Sequence, residues 1–83
     1  MELGAYIFMH CTGLIHVALP SGIKEITYMM FYECVSLSEI IIPENVETIG
    51  SCSFFGTGIS KIVLPTTLKY IEDRAFYGCT KLF

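Results

Sequence analysis

The sequence predicts a β-rich solenoid, built from stacked copies of one short unit. Three observations carry this. Prolines stand at Pro20, Pro43 and Pro65, 23 and then 22 residues apart. Phenylalanines keep the same period at Phe8, Phe31, Phe54 and Phe76, as do aliphatic residues at Leu14, Leu37, Ile59 and Leu82. Of 83 residues, 53% are hydrophobic and only 16% charged, an apolar balance for a domain small enough that surface normally dominates. A unit of 22 to 23 residues encloses no core alone, whereas stacked copies share one.

Two further ladders agree with the first two: Ile23, Val46 and Leu68, and Leu3, Ile26, Ile49 and Ile71. The single 22-residue step is a one-residue deletion between Phe54 and Ile59, after which every ladder regains register. Within a unit, Leu37, Ile40 and Ile42 lie at offsets 0, 3 and 5. They end in the period-2 alternation of a strand with one face on a core. The following proline closes the strand because it has no N–H for a ladder. One short parallel strand per repeat is therefore expected. From proline to the cysteine position, apolar residues fall three to five apart with polar pairs such as Glu44-Asn45 and Thr66-Thr67 between them. That fits turns or a fragment of helix wrapping back, too short for a full helix. The chain opens mid-repeat at Leu3-Gly4 and stops mid-repeat at Leu82-Phe83, which gives about three and a half repeats. Residues 1–83 read as a single domain, either a short standalone chain or a fragment of a longer array.

Charge and hydropathy exclude several functions. Five Lys and Arg against eight Asp and Glu give a formal charge of -3, and the basic residues are scattered, so no patch for nucleic acid exists. The longest apolar runs, such as Ile40-Ile41-Ile42 and Met29-Met30-Phe31-Tyr32, fall far below the roughly 18 to 20 residues of a membrane span, and no membrane insertion is expected. The apolar stretch Met1 to Pro20 has no positively charged start and carries Glu2, so it reads as folded structure and not as a signal peptide.

The unit Leu37-x-x-Ile40-x-Ile42-Pro43-x-x-Val46-x-x-Ile49-Gly50-x-x-x-Phe54, with Ala75-Phe76-x-Gly78-Cys79, resembles the BspA-like leucine-rich repeat family over nearly the whole chain. Proline stands where the ordinary leucine-rich repeat has its Asn or Cys ladder, so the curvature of that larger class is not carried over. The resemblance implies a right-handed solenoid that binds proteins without catalysis, at a cell surface or secreted. It names no ligand.

Cys11, Cys34 and Cys79 share one repeat position, which Thr57 fills in the remaining copy. This reads as a column of packed thiols, because parallel side-chain vectors suit a disulfide poorly. Cys52 aligns with Met29 and Arg74 and reads as a partly exposed, incidental thiol, a redox-active one being the alternative. His10, His16 and Cys11 lack the paired spacing of a zinc site. No nucleophile elbow or Gly-rich phosphate loop is present, and Glu44, Glu47, Glu72 and Asp73 read as solvated turn positions. No catalytic residue, metal or cofactor is expected.

The positions that alternation points away from the core are the candidates for partner binding. Ala18, Ile41 and Val63 form an apolar stripe flanked by His16, Glu39 and Lys61, with Ile15, Ser38 and Ser60 beside them. A protein ligand is expected on this three-rung face, the alternative being a solvated sheet whose β-branched residues serve strand propensity. A second stripe, Met9, Tyr32, Phe55 and Tyr77, is expected to stack ring on ring, either as contact area for a partner or as a shield for the edge. A structural alternative to ligand binding is end-to-end stacking of the uncapped repeats into a homo-oligomer.

Overall fold

A computed structural model of the chain describes residues 7–82. Its five strands are β1 (Glu25–Ile26), β2 (Glu39–Ile41), β3 (Thr48–Ile49), β4 (Lys61–Val63) and β5 (Tyr70–Ile71). They form two parallel sheets, one in the order β1-β3-β5 and one pairing β2 with β4. Register follows the ladders, with Ile26 opposite Ile49, Ile49 opposite Ile71, and Ile40 opposite Ile62. No helix occurs among the described residues.

The expectation of one strand per repeat is corrected. The copy from Leu37 to Phe54 holds two, β2 before the proline and β3 after it. Its polar pair makes a turn, with Asn45 in the left-handed region at φ 85°, and this turn re-aims the chain between Pro43 and Val46. The strand after it has only two residues, too few to display alternation, and its hydrogen bonds come from other copies. Glu47 N–H donates to Lys24 C=O at 2.8 Å and Lys69 N–H donates to Glu47 C=O at 2.8 Å. An apolar spacing of three, Val46 to Ile49, thus brings both side chains inward across a turn and a strand, where spacing alone suggests turn or helix.

The core is a set of columns, one residue per copy. Ile26 stands beside Ile49, Leu37 beside Ile59, and Ile23 beside Val46, all buried. Phe8, Phe31, Phe54 and Phe76 stack nearly face to face with centroids 5.3, 5.2 and 5.3 Å apart. Phe31 and Phe54, covered by a ring on each side, are fully buried, while Phe8 and Phe76 are half-buried. Burying each inner ring contributes roughly 1.5–3 kcal/mol. The thiol column lies alongside. Cys34 Sγ donates to Phe8 C=O at 2.8 Å, Cys79 Sγ donates to Phe54 C=O at 2.9 Å, and Thr57 Oγ1 is 3.3 Å from Cys79 Sγ. All four cysteines are free.

Two backbone positions recur in the left-handed region. Met29, Cys52 and Arg74 have φ of 54°, 56° and 58°, and His10, Glu33, Gly56 and Gly78 have 61°, 57°, 69° and 78°. Non-glycine residues hold such angles at about 1–2 kcal/mol each. The offset is visible in the ladder they complete, where His10, Glu33 and Gly56 donate to the next copy's Tyr32, Phe55 and Tyr77 at 2.8, 2.7 and 2.8 Å.

Candidate partner-binding face

His16, Ala18, Glu39, Ile41, Lys61 and Val63 are all exposed. The β2–β4 register sets Glu39 beside Lys61 and Ile41 beside Val63, and the two aliphatic side chains remain 68% and 50% accessible. Exposed apolar neighbours flanked by opposite charges make a surface that loses little on desolvation at its centre. Among the described residues, none of His16, Glu39 and Lys61 enters an ion pair.

The three-rung expectation is corrected at its first rung. Residues 15–18 form no strand, so the sheet has two strands and the first copy lies beside it. One backbone hydrogen bond, Ser38 N–H to Ile15 C=O at 3.4 Å, joins segment 15–19 to 38–43 among the described residues. Ala18 occupies the position held by Ile41 and Val63, and it lacks the β-branched side chain that favours a pleated surface. Beyond Ser38 a cleft of about 390 Å³ opens, with residues 16–19 on one wall and 39–41 with Pro43 on the other. Sequence reasoning missed this cleft, although Ala18 among β-branched neighbours was a signal for it.

The second stripe stacks. Tyr32 and Phe55 lie 4.8 Å apart, and Phe55 and Tyr77 5.1 Å apart. His10 tilts over Tyr32 at 5.6 Å, with its Nδ1 3.3 Å from a Glu33 carboxylate oxygen. The Arg74 guanidinium sits 5.8 Å above Tyr77. Tyr32 and Phe55 are half-buried, so the stripe covers an edge of the core at its middle, while Met9 and Tyr77 are exposed. Cys52 is half-buried, and Ser51 Oγ donates to Asp73 C=O at 2.8 Å and lies 3.8 Å from the Cys52 sulfur. Burial pushes the Cys34 thiol above the ordinary range; a backbone hydrogen bond from Cys11 opposes this only in part. Among the described residues no three His, Cys, Asp or Glu side chains converge as a metal would require, and no helix is long and apolar enough to cross a membrane.

Short parallel strands, joined copy to copy and backed by ladders of Leu, Ile and Phe, define a leucine-rich repeat protein. A family model for a BspA-type leucine-rich repeat region matches residues 1–83 in 6 copies, and the chain belongs to that family. No curated protein and no solved structure matches it.

Proposed function

We propose that the chain is a non-catalytic protein-interaction module, a right-handed solenoid of about three and a half turns acting at a cell surface or after secretion. Repeats of this family generally mediate protein interaction, and the observation that carries the reading here is the Ile41–Val63 pair, exposed side by side between Glu39 and Lys61. Affinity capture with wild type and with the Ile41→Asp, Val63→Asp double variant tests it. Loss of a captured protein, with an unchanged circular dichroism spectrum, supports the face; undiminished capture rejects it.

A second reading is stacking on another copy of the chain at β5. Phe31 and Phe54 donate their N–H groups to the following copy, to Ser53 C=O at 2.7 Å and Ala75 C=O at 2.8 Å. A second copy docked on β5, where Tyr70 and Ile71 are exposed, would extend this ladder. Exposed strand edges are where strands of separate chains pair. Sedimentation decides it, since a chain that stays monomeric at high concentration excludes this assembly.

A further inference from the structure

The cleft beside β2 has backbone chemistry as well as shape. In a parallel ladder the N–H and C=O groups of alternate residues face opposite edges. Ile42 N–H donates to Val63 C=O at 3.0 Å, which turns Ile40 and Ile42 toward β4. Glu39 and Ile41 therefore turn theirs toward the first copy. Among the described residues the first copy does not meet them, its one backbone bond to this region being at Ser38. Among the described residues, a strand edge whose donors and acceptors, spaced two residues apart, have no hydrogen-bond partner thus lies beside an apolar cleft of about 390 Å³.

We infer that this cleft seats an extended peptide segment of a partner protein, which pairs its backbone with Glu39 and Ile41 and lodges one apolar side chain between Leu19 and Pro43. The inference rests on the protein-binding reading and names its ligand chemistry. An extended peptide is the occupant that supplies alternating C=O and N–H at the spacing of a strand edge together with a side chain for the pocket. Glu39 is the carboxylate at the rim, so a Lys or Arg next to the anchor is favoured by charge.

The test uses the full chain and a library of blocked seven-residue peptides with Leu or Ile at the centre, Lys beside it and the remaining positions randomised. Backbone amide resonances and hydrogen exchange are followed by NMR. Shifts at Glu39 and Ile41, with their exchange slowed at least tenfold, are expected. N-methylation at the peptide's central residue and Ala18→Trp, which fills the cleft from an exposed position, should each weaken binding at least tenfold. Glu39→Lys should reverse the preference from Lys-bearing to Glu-bearing peptides. Shifts confined to Lys61–Val63, or binding indifferent to Ala18→Trp, overturn the inference while leaving the exposed face intact as an interaction surface. An absence of shifts with the whole library overturns it too. The face itself fails by a different result, a captured partner that tolerates both Ile41→Asp and Val63→Asp.

Discussion

Replacing Ser53 by alanine should stabilise this protein. Ser53 is fully buried and its Oγ has no hydrogen-bond partner among the described residues, whereas the equivalent positions hold Met30 and Ala75, both buried. A buried hydroxyl without a partner costs about 1–3 kcal/mol. The backbone bonds of the residue, N–H to Gly50 C=O at 3.2 Å and C=O from Phe31 N–H at 2.7 Å, do not involve the side chain and survive the substitution. Removing a single oxygen leaves a void smaller than a methyl group, which offsets part of the gain. The net expectation is about 1 kcal/mol of added stability, equivalent to roughly 4–8 °C in Tm for a domain of this size. Urea denaturation reads it directly, as a higher midpoint with an unchanged m-value. An unchanged or lower midpoint would refute the reasoning, because it would mean that the hydroxyl is satisfied in the folded chain.

Two further outcomes follow from the same columns. A Cβ at Gly50 would stand 2.7 Å from Ile26 C=O and 3.0 Å from the Thr27 carbonyl carbon, backbone atoms with little room to retreat; Gly50→Ala should cost about 1–3 kcal/mol, and a neutral effect in urea denaturation would show that β1 and β3 slide apart freely. Because burial raises the Cys34 pKa in the folded state, its contribution to stability is complete below the unfolded thiol value of about 8.5 and is lost as pH rises through the folded value. The wild type should therefore lose stability above about pH 8.5 faster than Cys34→Thr, and parallel pH profiles would contradict the burial argument.

Much of the core is legible in the order of the residues, and for a physical reason. Phe31, Phe54, Leu37, Ile49 and Val46 recur because each must pack on its counterpart one copy away, so a single interior imposes one period on many positions. The thiol column is legible in the same way, Thr57 marking it as a matter of size and hydrogen bonding. The strand after each proline is not legible, since β1, β3 and β5 have two residues each and a pair of residues carries no periodicity. The left-handed turns at Met29, Cys52 and Arg74 leave no mark in the sequence either. None is the glycine that usually signals such a turn; bonds to the next copy, from Met29 N–H to Ser51 C=O at 3.1 Å and from Cys52 N–H to Asp73 C=O at 3.2 Å, hold the first two there.

At the candidate face the division is similar. Alternation alone placed His16, Ala18, Glu39, Ile41, Lys61 and Val63 outside, because a strand that buries Ile40 must expose its neighbours. Whether neighbouring rungs actually join is a different question, settled by hydrogen bonds between residues more than twenty positions apart. The order of the residues determined which side chains share the interior and which face solvent, since that depends on local spacing. Only the folded chain decided that β2 bonds β4 on one side and leaves a cleft on the other, since pairing depends on how two distant segments meet in space.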